Sequence, residues 1–122
     1  MEHSIEVNKA TGVCVIRASG TIRRPEDSLV LLRLAGEVAR EKSCSRLLFD
    51  VREADIIGTT MGAYGAVIAP EEHGVSRQLR IAVVYSALTR DERFMEDVGV
   101  NRGSRAFKVF DDIGAAQEWV RQ

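Results

Sequence analysis

Residues 47–62 read Leu47-Leu48-Phe49-Asp50-Val51-Arg52-Glu53-Ala54-Asp55-Ile56-Ile57-Gly58-Thr59-Thr60-Met61-Gly62. The apolar run Arg46–Val51 predicts a short buried strand ending in Asp50. A long loop then carries Asp55, Ile56, Ile57 and Gly58, and the hydroxyls of Thr59 and Thr60 open a second helix. That helix ends at His73-Gly74, a basic last turn followed by a terminating glycine, and Pro70 shortens or kinks it. A buried strand, an acidic loop and a capped helix in succession are one α/β unit.

Upstream, Ser4–Asn8 alternates apolar Ile5 and Val7 with polar neighbours, and Lys9-Ala10-Thr11-Gly12 makes a hairpin turn closed by glycine. Val13–Ala18 has few polar positions on either face and reads as an interior strand. Ser19-Gly20-Thr21 breaks the pattern. Pro25, Glu26 and Asp27 then announce a helix to about Lys42. Leu31, Leu32, Leu34, Ala35, Val38 and Ala39 form its apolar face, while Leu29 and Val30 spill toward the polar side. Downstream, Leu79–Tyr85 is a strand and Asp91–Val100 a helix. Ala106–Phe110 is another strand, and Asp111 or Asp112 caps a last helix through Trp119. The order is β-β-α-β-α-β-α-β-α in one domain, residues 1–122: a mixed α/β sheet opened by an antiparallel hairpin.

The 122 residues are 45% hydrophobic and 29% charged, a globular composition with enough apolar material for one core. The net charge of −1 gives no basic field to recruit nucleic acid or an anionic membrane. No apolar run approaches a membrane span and the first residues are no signal peptide, so the expectation is a cytoplasmic protein without membrane insertion. Cys14 and Cys44 make neither a disulfide framework nor a metal quartet; Cys14 reads as a small core hydrophobe.

Catalytic constellations are mostly missing. There is no G-x-G-x-x-G after the opening strands and no phosphate-binding G-x-x-x-x-G-K-[ST]. His3 falls in a frayed terminus and His73 at a helix end, too far apart in sequence for a metal pair. Asp50 invites comparison with the phospho-accepting aspartate of receiver domains, but the early strands end in Asn8 and Ser19 and Phe110 is followed by Asp111, so the acidic pair and lysine such a site needs are lacking. Fourteen arginines stand against three lysines. Arg23-Arg24 precede the first helix and Arg90, Arg93, Arg102 and Arg105 surround the third. Interleaved acids make the latter group a solvated face with pairs such as Arg93–Asp97. Neither an enzyme, a metal nor a cofactor is expected.

The element order, with the strand-Asp50-loop-Thr helix start and the closing Lys108–Trp119, resembles the STAS domain (sulfate transporter and anti-sigma-factor antagonist), in particular its small SpoIIAA-like members. The resemblance implies a four- or five-stranded mixed sheet with four helices packed mainly on one side. It also implies a switch: family antagonists carry a serine at the start of the helix after the third strand, which an anti-sigma kinase phosphorylates, and the unmodified form binds that kinase. Here the position falls on Thr59 or Thr60, with Gly58 where the family has an acidic neighbour. A helix N-terminus tolerates the added phosphate charge; N-capping alone is the other role open to the two threonines. SpoIIAA-like proteins also resemble Sec14-type lipid-binding domains in outline.

Two functions follow as expectations. The first is a non-enzymatic regulatory module that binds a protein partner, an anti-sigma-type kinase, through Asp50, Asp55, Ile57, Gly58, Met61, Gly62, Tyr64 and Gly65. Gly62 and Gly65 share a helix face at i,i+3 spacing, which suits close packing or a close partner. The second is a carrier for a small apolar ligand, in a pocket lined by Ile56, Ile57, Met61, Tyr64 and Ile68. An acid–base enzyme would instead require Asp50 and Asp55 to converge. A homodimer is expected from the exposed apolar residues Leu29 and Val30.

Overall fold

The computed structural model describes residues 1–58, 74–76, 78–90, 92–93, 96–97 and 106–122. Strands β1 (Glu2–Asn8) and β2 (Val13–Arg23) form the antiparallel hairpin, with Gly12 at φ 72° closing its turn. Helix α1 (Glu26–Glu41) leads to β3 (Arg46–Ile57), which is followed by β4 (Arg80–Val84), β5 (Phe107–Phe110) and helix α2 (Ile113–Arg121). The sheet order is β1-β2-β3-β4-β5, and every neighbouring pair after the hairpin is parallel.

Two strands outrun their sequence reading. β2 continues through Ser19-Gly20-Thr21, and β3 continues through the stretch expected to be a loop, because the two extensions pair with each other from Ser19↔Glu53 to Arg23↔Ile57. A register shift between Arg17 and Ser19 absorbs one extra residue of β3. Each extension supplies the hydrogen-bond partners that the other would lack alone. His3, expected in a frayed end, lies in β1 opposite Ala18.

The strand side chains alternate between two cores. Cys14, Ile16, Ala18, Ile22, Leu47, Phe49 and Val51 pack with Leu31, Ala35 and Val38 of α1. Val13, Leu48, Ala82, Val84 and Phe110 pack on the opposite face with Ala116 and Val120 of α2. Four helices mainly on one side were expected; the described residues hold two, one on each face. The apolar stripe of α2 follows directly on β5 and finds its complement on the second face. Residues 92, 93, 96 and 97 have helical backbone within the expected third helix, as does Arg90 just before it, and the expected second helix lies outside the described residues apart from Gly74.

Helix α2 is fixed at both ends. The Asp112 carboxylate accepts from the Ala115 N–H at 3.2 Å, the cap expected from one of the two aspartates. At the negative end of the dipole, Arg80 Nε donates to the Trp119 carbonyl at 2.9 Å while its guanidinium lies 3.8 Å from the Trp119 ring centre, and Arg46 Nη2 donates to the Gln122 carbonyl at 3.1 Å.

The cysteines correct the sequence reading. Cys14 and Cys44 form a disulfide across a separation of 30 residues, and both are buried, tying β2 to the loop after α1. Spacing along the chain gives no hint of this; the return of the chain after α1 brings the two sulfurs together.

Candidate functional site

Among the described residues, the extensions of β2 and β3 are covered on one side only. Ala18, Ile22, Ala54 and Ile56 turn toward the α1 core. Alternation sends Arg17, Ser19, Thr21 and Arg23 of β2, and Glu53, Asp55 and Ile57 of β3, to the other side, where they are exposed or half-buried. Helix α2 packs over β3, β4 and β5 and leaves this strip bare. A groove of about 340 Å³ lies on it, lined among others by Ser4, Arg17, Ser19, Asp50, Arg52 and Glu53.

Asp50 is the organising group of that groove. It lies mid-strand, paired with Arg17 of β2, and only 8% of it is exposed. Arg52 closes over it in a fork: Nε donates to Oδ1 at 2.9 Å and Nη2 to Oδ2 at 2.8 Å, and the Arg52 N–H adds a bond to Oδ1 at 3.2 Å. These bonds from Arg52 hold the Asp50 carboxyl below its ordinary value against the opposing effect of burial, with Arg17 assisting from the neighbouring strand. The same pairing raises Arg52. Beside them Arg17 Nη1 binds Glu6 Oε2 at 2.9 Å. A carboxylate so saturated is a poor proton acceptor or nucleophile. Asp55 is exposed five residues further along β3, roughly 15 Å away at strand spacing. The two acids do not converge, so the geometry an acid–base pair needs is lacking.

The strip ends at Gly58. Its φ of 109° lies in the region that side chains disfavour, and a Cβ there would fall 2.9 Å from the Arg24 carbonyl oxygen. The Arg24 N–H in turn donates to the Ile57 carbonyl at 2.8 Å. Glycine thus stands where two backbones touch. Behind this contact the Arg24 side chain is buried 4.0 Å from Glu92, whose carboxylate also accepts from the N–H and hydroxyl of Thr89. Arg24 therefore belongs to an interior cluster with Tyr85, whose phenol burial raises above its ordinary value.

Of the residues expected at a partner face, Asp50, Asp55, Ile57 and Gly58 share one strand and its end, with Asp50 held in the groove and Ile57 exposed. Thr59, Thr60, Met61, Gly62, Tyr64 and Gly65 lie outside the described residues, as do Ile68, Arg102 and Arg105. Ile56 packs against the α1 core, leaving Ile57 as the described outward member of the expected apolar pocket. Sequence reading missed Arg52 and Arg17. An Asp-x-Arg spacing on a strand could have signalled the first; the second requires the β2–β3 register. The expected pair Arg93–Asp97 is not among the ion pairs of the described residues.

No family model matches the chain, and no curated protein matches it. Solved structures do. An anti-sigma factor antagonist from Mycobacterium paratuberculosis superposes with a TM-score of 0.62 at 20% identity, covering 99% of this chain and 94% of the other. The anti-sigma factor antagonist SpoIIAA in its unphosphorylated form gives 0.60 at 12% identity, covering 98% of each. An uncharacterized DUF3478-family protein with a SpoIIAA-like fold from Shewanella loihica PV-4 gives 0.60 at 20% identity, covering 98% and 92%. The chain therefore has a SpoIIAA-like fold over its full length, as the resemblance implied.

Proposed function

We propose that this protein is a non-enzymatic regulatory module that docks a protein partner on the bare side of the β2–β3 extension. The observation that carries the reading is the one-sided extension itself: half-buried Thr21 and exposed Arg23, Asp55 and Ile57 lead without interruption to Gly58, the residue before Thr59 and Thr60. The likeness in fold to two anti-sigma factor antagonists supports the same reading. The partner class is an anti-sigma-type kinase, and the switch is phosphorylation of Thr59 or Thr60. A phosphate adds about −1.5 to −2 charges. Placed beyond Asp55 and Glu53, it turns a mixed surface strongly anionic and repels a partner matched to the unmodified form. Nothing in this scheme uses a metal or cofactor.

The location anticipated is the cytoplasm. Among the described residues no helix is long and apolar enough to cross a membrane. A reducing cytoplasm would oppose the Cys14–Cys44 bond. Alkylation of the protein in intact cells followed by mass measurement decides between them: a blocked disulfide pair counts against the cytoplasm.

Capture from native extract tests the docking reading. Wild-type protein retains a kinase, whereas the Thr59→Glu/Thr60→Glu variant and an Asp55→Arg variant release it. Capture of no kinase, or equal capture by all three proteins, overturns the proposal.

A further inference from the structure

Among the described residues, strand β1 has β2 as its one neighbour in the sheet, so its outer edge presents backbone N–H and C=O groups without a described strand partner. Exposed edges are often blunted by proline, a bulge, extreme brevity or charged side chains. β1 lacks the first three: it is seven residues long, contains no proline and pairs with β2 in unbroken register from Glu2↔Ser19 to Asn8↔Val13. Of its two acids, Glu6 is neutralised by Arg17 and Glu2 lies at the strand end. Ile5, at its centre, is 41% exposed.

We propose that β1 pairs antiparallel with β1 of a second copy of this chain, with Ile5 on the two-fold axis, joining two five-stranded sheets. The inference is independent of the docking reading above. Centring on Ile5 sets Ile5 against its own copy, His3 against Val7, Ser4 against Glu6 and Glu2 against Asn8, so each acid faces a neutral residue. An exposed isoleucine is then covered by the same residue of the other protomer.

Charge also fits. Arg17 is directly across from Ser4 and binds Glu6 within its own chain at 2.9 Å. In the dimer Ser4 is directly across from Glu6 of the second copy, so Arg17, a short serine and that glutamate fall on one line across three strands. The two outer α-carbons are then about 10 Å apart at ordinary strand spacing. A guanidinium already held over the edge by its own Glu6 is placed to reach the second one across the serine. Symmetry makes two such Glu–Arg–Glu arrangements, which orient the partner and disfavour a shifted register.

Sedimentation velocity over a concentration series reads the association, and cysteine cross-linking reads the surface. A monomer–dimer equilibrium is expected, weakened at least about tenfold by Ile5→Lys, a change of about 1.4 kcal/mol. On a non-reducing gel Ile5→Cys gives a covalent dimer, whereas Val30→Cys on the outer side of α1 does not. Circular dichroism of the Ile5→Lys protein verifies that it remains folded. Monomer at every concentration overturns the proposal, as does association unchanged by Ile5→Lys. A dimer that cross-links through Val30→Cys and not Ile5→Cys overturns the β1 surface while retaining the homodimer.

Discussion

The two sides of β2 and β3 are made by the same stretches of backbone and differ in nearly every other respect. Toward α1, Cys14, Ile16 and Leu47 are fully buried, and a disulfide fastens the strand beneath the helix. On the other side, past the edge of α2, the strands carry Arg17, Ser19, Thr21, Asp55 and Ile57 outward. Alternation lets one segment serve both ends: residues that stabilise the fold and residues free to meet another molecule occupy successive positions. Stability should thus concentrate on one side and recognition on the other.

The largest test of that contrast is the disulfide. Closing a loop of this length restricts the unfolded chain by about 3.5 kcal/mol. The Cys14→Ser/Cys44→Ser protein should lose roughly that amount in chemical denaturation, and reductant should lower the melting temperature of wild type but not of the variant. Equal stability with and without reductant would remove the tie from the account. Next comes Leu47→Ala, expected to cost about 3 kcal/mol by lost burial and an unfilled cavity. Ile57→Ala, on the bare side, should stay within about 0.5 kcal/mol. Comparable losses at the two sites would erase the asymmetry.

The smallest effect is in the pH dependence. Asp50 has a lowered value in the folded protein because Arg52 grips it, so its contribution is present above the unfolded value of about 3.9 and is lost as pH falls through the folded one. Arg52→Ala should move acid unfolding to higher pH. Buried Tyr85 acts oppositely, since its raised value gives stability present below about pH 10 that is lost as pH rises through the folded value. Denaturation midpoints between pH 2 and 11 separate the two limbs, and an Arg52→Ala profile identical to wild type on the acid side would dissociate the Asp50 fork from stability.

How far the site could be read from residues depends on the kind of information each part needs. The hairpin is legible because Ile5 and Val7 alternate and Gly12 closes the turn. The strand at Leu47–Val51 is legible as an apolar run, and the last helix from its aspartate cap. The extension through Asp55–Ile57 reads as a loop from sequence: its acids suit a loop as well as one open face, and only pairing with β2 distinguishes the two. Arg24, read as part of a basic doublet, is buried because Glu92, far along the chain, folds back beside it.

The order of the five strands with the first and last helices, the opening hairpin and the mixed α/β class were thus determined by the sequence itself, through periodicities of two and 3.6 and through caps that act over three or four residues. Tertiary structure alone decided the Cys14–Cys44 bond, the length of β2 and β3, the side taken by α2 and the placing of Arg17 beside Asp50. Each of these joins residues distant in the chain, and a local pattern carries no record of which distant segment will supply the missing hydrogen bond, sulfur or charge.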